Sequence, residues 1–248
     1  MDYPAYTTPM GYLTPIRDAL HEYDDVVVIS GGMFWAFHHE AARWPVMLAD
    51  TAECVRTLPP DGYAVDPAHP FAVLITPNAG DTPLQRIYGL GEVRTFPTRD
   101  TNAVYRLYGP VDAPTWLVQM TSIEPVPFAN GVQLTGYAIE GETVYLQWQL
   151  PARKPDLQHQ YFVHFLDENG DAIGQRDLSF WPGYHWCEGD TLVTWTDGVP
   201  NNSTLSALRV GLYTLGTGKD EGQIFPVDIL DVMGNPAGQW ALISLTTE

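Results

Sequence analysis

The residues with the plainest chemical potential stand at Ser30-Gly31-Gly32, where the apolar run DVVVIS ends. A glycine turn between a strand and a helix exposes converging backbone N–H groups, which is how α/β proteins hold phosphate. The dinucleotide pattern G-x-G-x-x-G would continue with further glycines, whereas Met33, Phe34 and Trp35 follow here. A tight turn accounts for the same three residues. His38-His39-Glu40 has the residue types of a zinc-binding helix, but H-E-x-x-H needs a second histidine one turn on. That position is Arg43, so no metal is expected and a solvated helix face is the plainer reading. Asp167-Glu168-Asn169-Gly170-Asp171 alternates oxygen ligands as calcium loops do. Positions six and twelve of such a loop need Gly and Glu, and Ala172 and Leu178 stand there. A hairpin turn fits better.

Further along, His164 lies in YFVHFLD. Alternation puts it on the face of Phe162 and Leu166, which reads as a hydrogen-bonded core histidine. No Ser or Cys occupies a G-x-S-x-G elbow, and a carboxylate pair for glycoside hydrolysis is spatial, so spacing does not reveal it. Phe180, Trp181, Tyr184, Trp186 and Trp195 form an aromatic-rich stretch around Pro182-Gly183. Exposed rings of this kind stack on sugar faces; buried ones cap a sandwich or pack against a neighbouring domain. The candidate ligand-binding residues are therefore Trp181, Tyr184 and Trp186, together with Ser30, Gly31 and Gly32. No catalytic residue, cofactor or metal is assigned.

The elements that would position these residues differ between the two halves. Thr14-Pro15 resembles an N-cap with proline at N1, opening a helix through Tyr23. Asp25–Ser30 reads as a buried strand, 34–43 as a helix, Trp44–Ala49 as a strand, and Phe71–Thr76 as another buried strand. A helix is expected from Asp81-Thr82-Pro83 to about Tyr88, then strands at Glu92–Thr98 and Ala103–Tyr108. Alternating strands and helices predict a small three-layer α/β domain with a mainly parallel sheet, Rossmann-like in layout. The seam falls in Gly109–Pro114, giving domains 1–112 and 113–248. Downstream, strands are expected at Val132–Ile139, Thr143–Leu150, Gln160–Leu166, Ala172–Asp177, Thr191–Trp195, Ala207–Tyr213 and about Ile224–Leu230. Asn169-Gly170 is a strong hairpin signal between two of them. Short strands with polar loops and no helical pattern predict an antiparallel β-sandwich.

Bulk properties narrow the partners. The chain has 248 residues, 45% apolar, with 30 acidic and 12 basic residues and a formal charge of −18. Such a surface repels nucleic acid phosphates and anionic headgroups. No run of about 18 apolar residues suggests membrane insertion, and MDYPAYTTPMG lacks the features of a signal peptide. Cys54 and Cys187 are too far apart in sequence for a metal motif. Two separate thiols and one bridge between the halves are both open.

Several segments together resemble a known family. Gln160–Asp177, QYFVHFLDENGDAIGQRD, resembles the pattern Y-x-V-F-V-H-L-L-D-x-x-G-x-x-x-x-Q-x-D. Trp181-Pro182-Gly183-Tyr184, Trp186 and Glu188-Gly189-Asp190 resemble its P-x-x-G-x-Y-P-x-x-x-W-x-x-G-E continuation, with a shortened loop. Val132–Tyr137 (VQLTGY), Leu208–Tyr213 (LRVGLY) and Thr217-Gly218 resemble its flanking strands. The pattern is that of the C-terminal soluble extracytoplasmic region, an α/β segment plus a β-sandwich, of bacterial membrane glycosyltransferases that resemble dolichyl-phosphate-mannose protein mannosyltransferases. In those enzymes the catalytic acids lie near the first membrane helices. The resemblance therefore implies a non-catalytic accessory region that binds or positions glycan or acceptor, or stabilises the membrane part of the same protein. It implies the extracytoplasmic face of a bacterial membrane; a complete chain would instead be cytoplasmic. Two alternatives stand beside it: a carbohydrate-binding module acting through the sandwich aromatics, and an enzyme with a site at the strand C-termini of the first domain, near Ser30–Met33 or Pro77–Asp81.

Overall fold

A computed structural model describes residues 10–34, 38–67, 69–80, 82–99, 103–111, 119–153, 158–200 and 205–245. The chain divides into two compact units, Met1–Leu117 and Val118–Glu248.

In the first unit, strands β1 (Asp25–Ile29), β2 (Cys54–Leu58), β4 (Phe71–Ile75), β5 (Arg94–Pro97) and β6 (Val104–Val111) form one sheet in the order β2-β1-β4-β6-β5. A further short strand, β3, spans Tyr63–Asp66. β1 runs parallel to β2 and β4, but β6 is antiparallel to both β4 and β5. The helices are α1 (Met10–Leu20), α2 (His39–Met47) and α3 (Leu84–Ile87). Leu13, Ile16 and Leu20 of α1 and Trp44 of α2 pack with Val26, Val28, Ala72, Leu74, Tyr105 and Leu107 in one cluster. Side chains two apart on a strand share a face, so both long helices cover the same face.

These features correct the expectation of a three-layer α/β domain with a mainly parallel sheet. Parallel and antiparallel ladders are evenly matched, and among the described residues no long helix covers the second face. Its Phe71 meets Tyr88, just past the four-residue α3, edge-on at 5.5 Å. The Tyr88 hydroxyl bonds the backbone of Val65 in β3. With 46% strand against 16% helix, the chain as a whole is mostly β.

Three local expectations also shift. α1 begins at Met10 and carries Pro15 inside it. Thr14 does not cap; its hydroxyl donates back to the Met10 carbonyl at 3.1 Å. The expected helix 34–43 begins at His39 and runs through the expected strand Trp44–Ala49. Ala41, Trp44 and Leu48, at helical spacing, are all fully buried. A short apolar run alone does not separate a strand from a buried helix. β2 escapes a search for apolar runs because Arg56 sits in its centre. That charge is buried against Asp25 at 2.5 Å.

In the second unit the expected sandwich is present. β7 (Thr121–Pro127), β8 (Gln133–Glu140), β9 (Thr143–Gln149) and β12 (Thr191–Asp197) make one antiparallel sheet in the order β12-β9-β8-β7. The other contains β11 (Ala172–Ser179), β10 (Gln160–Leu166) and β13 (Ala207–Leu215). Two strands share the far edge of β13: β14 (Ile224–Val227) pairs with Leu212–Leu215, and β17 (Ala241–Ser244) with Ala207–Val210. β15 (Ile229–Leu230) and β16 (Pro236–Gly238) form a small hairpin.

Between the sheets, Trp148 of β9 lies 6.2 Å from Tyr161 of β10, 5.2 Å from Phe180 and 6.1 Å from Phe128. Its indole N–H donates to Thr194 at 3.0 Å, so the largest core ring leaves no buried donor unsatisfied. One turn is built twice. In Asp167–Asp171 the Asp167 carboxylate accepts from the N–H groups of Asn169 and Asp171. In Asp231–Asn235 the Asp231 carboxylate accepts from Met233 and Asn235. Gly170 and Gly234 close these turns at φ 82° and 80°, a conformation that favours glycine.

Candidate functional site

β2 and β4 flank β1, so the chain leaves β1 on one side and returns on the other. Open sheets hold ligands beyond the strand C-termini at such a point. Here the gap is taken up by the protein's own groups. Ser30 is fully buried, and its hydroxyl donates to the Gly32 carbonyl at 2.5 Å. The Gly31 N–H donates to the Asn78 side chain at 3.3 Å. The Thr76 hydroxyl donates to the Ile29 carbonyl at 3.0 Å and contacts Asn78. Gly32 is buried, and a Cβ there would collide with the His38 ring. α2 starts only at His39, so Ser30-Gly31-Gly32 is not followed directly by a helix whose N–H groups could gather a phosphate. His38, expected on a solvated face, is half-buried. Glu40 is engaged by Arg43 at 2.6 Å, the Trp44 indole at 2.9 Å and the Tyr105 hydroxyl at 3.0 Å.

The aromatic stretch is brought together, but inward. Trp181 and Trp186 are 0% and 1% exposed, which leaves neither ring a free face for a sugar. Trp181 stacks on His185 with centroids 5.6 Å apart. The Trp186 indole donates to the Trp181 carbonyl at 2.9 Å. Tyr184 is half-buried, edge-on to His185 at 4.6 Å.

A different constellation lies on the outer face of the β11-β10-β13 sheet. The inward residues of β10 are Tyr161, Val163 and Phe165; Phe162 and His164 point the other way and are partly exposed. This corrects the reading of His164 as a core residue. Leu166, at the end of β10 where the pairing with β11 shifts register, is buried as well. Register then aligns two rows across the face. Gln175, His164, Arg209 and Leu242 form one, and Asp177, Phe162 and Gly211 the next. Tyr213 follows on β13 and faces Pro226.

Contacts tie the rows together. The Phe162 ring lies 4.8 Å from His164 and 6.4 Å from Tyr213. It crosses β13 over Gly211, where a Cβ would strike the ring and stand 2.8 Å from the Gln239 carbonyl. The Tyr213 hydroxyl donates to Asp177 at 3.1 Å. Arg209 lies under the Trp240 ring, 5.2 Å from its centroid, within cation–π range. Trp240 is 46% exposed.

The electrostatics follow from this packing. Burial holds the His164 imidazole below its ordinary value; the Arg209 charge acts in the same direction and Asp177 opposes both. Burial, then the Asp177 charge and hydrogen bond, push the Tyr213 hydroxyl up to about 12. At neutral pH the face therefore offers a neutral imidazole, a phenol, a carboxylate and a guanidinium among three aromatic platforms. Such a set accepts and donates hydrogen bonds and stacks, without an activated nucleophile. Spacing did not reveal it because every residue of YFVHFL is aromatic or apolar apart from the histidine, so the alternation that marks an outer face is hidden.

No family model matches the chain, and no curated protein or solved structure matches it either.

Proposed function

We propose that this chain is a non-catalytic accessory region that binds or positions a glycan on the outer face of its sandwich. In this reading it is the soluble extracytoplasmic part of a membrane-anchored glycosyltransferase-like protein, and the membrane part of that protein is its partner and supplies the chemistry. The observation that carries the binding role is the row of partly exposed rings, Phe162, Tyr213 and Trp240, interleaved with His164, Asp177 and Arg209. Pyranose rings present C–H faces to aromatic rings and hydroxyls to such polar groups. The membrane association rests on the resemblance of QYFVHFLDENGDAIGQRD and its flanking segments. Among the described residues no helix is long and apolar enough to cross a membrane. The non-catalytic part is supported at the β1–β4 gap, where Ser30, Thr76 and Asn78 are committed to internal hydrogen bonds.

The test is titration of the full chain with a glycan panel, followed by calorimetry and by NMR of backbone amides. Binding should shift the resonances of β10, β11 and β13. Phe162→Ala and Tyr213→Ala should each weaken it by about tenfold, the loss of one stacking platform worth about 1–1.5 kcal/mol. The same preparation should turn over no sugar donor. A spectrum unmoved by every glycan in the panel would remove the binding role, and robust transferase or hydrolase turnover would remove the accessory one.

A further inference from the structure

The glycan face contains one cation whose surroundings ask for an anion. Arg209 stands directly between His164 and Leu242 across the ladder. Its Nε is enclosed without a hydrogen-bond partner. It makes no ion pair among the described residues, in a chain where 30 acids outnumber 12 bases. The carboxylate of this face, Asp177, is held by the Tyr213 hydroxyl at 3.1 Å and approached by the Gln175 amide at 3.4 Å. Trp240 covers the guanidinium from one side, its ring centroid 5.2 Å from Cζ, and brings no negative charge.

Resting on the glycan-binding reading above, we propose that the outer face selects acidic sugars, with Arg209 pairing the carboxylate of a uronate-type residue while Phe162 and Tyr213 carry the neighbouring ring. A guanidinium is a planar fork that matches a carboxylate through two parallel hydrogen bonds. His164 is the cross-strand neighbour of Arg209, placed to bond a hydroxyl next to that carboxylate. Asp177, two residues along β11 from Gln175, accepts from sugar hydroxyls and opposes a second negative charge at its end of the face. The ligand is thus an oligosaccharide with spaced carboxylates rather than a densely sulfated one.

The experiment uses three probes on the full chain: a neutral hexose oligosaccharide, a uronate oligosaccharide of the same length, and a sulfated one. Calorimetry should find the uronate bound at least tenfold more tightly than the neutral probe, and the sulfated probe no better than the neutral one. Arg209→Gln should collapse the preference, bringing the ratio of uronate to neutral affinity from at least tenfold to within twofold. Arg209→Lys, which keeps the charge without the fork, should fall between. Circular dichroism and Tm of both variants check that the sheet is intact. Equal affinity of the wild-type chain for neutral and uronate probes would overturn the acidic-sugar inference and leave glycan binding standing. So would a uronate affinity unchanged in Arg209→Gln, or tighter binding of the sulfated probe. Absence of binding to all three would overturn both.

Discussion

At the scale of single residues, the most exposed consequence of burial is the response to acid. His159 is 3% exposed, and burial holds its pKa below the ordinary 6.5. Its Nε2 faces the Asn130 amide at 3.3 Å, and its Nδ1 is enclosed without a partner. Nothing in this arrangement compensates a second proton. The unfolded chain takes up that proton as pH falls through about 6.5, while the folded chain resists it. The neutral histidine thus costs no stability above about 6.5, and stability declines from there down to the folded pKa. Thermal melts should therefore show Tm falling between pH 7 and pH 5. His159→Gln, which keeps an amide partner for Asn130 without a titrating ring, should flatten that slope. An identical slope in the variant would assign the acid sensitivity elsewhere. Which residues matter was partly legible in the sequence. His164 was visible as a polar residue in an apolar strand, yet its face could not be read, because Tyr161 and Phe162 look alike to a hydrophobic pattern. Trp181 and Trp186 were visible as aromatic, but type alone does not distinguish a stacking platform from a core ring.

At the scale of elements, the candidate face depends on a single missing Cβ. Gly211 lets the Phe162 ring lie across β13 and lets the Gln239 carbonyl approach the strand. Gly211→Ala should displace one or both and cost about 1–3 kcal/mol, the usual penalty of forcing atoms into a packed site. A denaturant titration measures that loss. Glycan affinity should fall with it, because Phe162 would leave its place between His164 and Tyr213. A variant as stable as the wild type would show that the ring does not depend on this gap. Strands with a glycine-closed turn or an uninterrupted apolar core were readable: β10 is found at Gln160–Leu166 as expected, and Asn169-Gly170 lies in its hairpin turn. Elements whose pattern is set by tertiary contacts were not. β2 hides behind the buried Arg56–Asp25 pair, and α2 hides within an apolar run, WPVMLA, that contains a proline. The antiparallel entry of β6 beside β4 was equally invisible, since strand direction depends on connections rather than on the composition of the strand.

At the scale of the whole molecule, the charge of −18 and the proposed pairing of Arg209 with a carboxylate pull in opposite directions. At low ionic strength, with a Debye length of about 30 Å at 0.01 M, an acidic glycan feels the entire negative surface; at 0.15 M, with about 8 Å, it feels little beyond the contact itself. The association rate for a uronate probe should therefore rise between these salt concentrations. Its dissociation rate should rise as well, because the Arg209 contact is screened too. Surface-plasmon measurements separate the two rates, and an association rate that falls throughout the range would mean that the local cation outweighs the global field. The shared edge of β13 bears on how the protein is made. β17 covers Ala207–Val210 but lies far downstream of them, and ribosomes add about 5–20 residues per second, so that backbone stays bare for roughly two to seven seconds of synthesis. An unpaired strand edge is a template for pairing with another chain. Nascent chains stalled before Ala241 should accordingly be the aggregation-prone and chaperone-bound species.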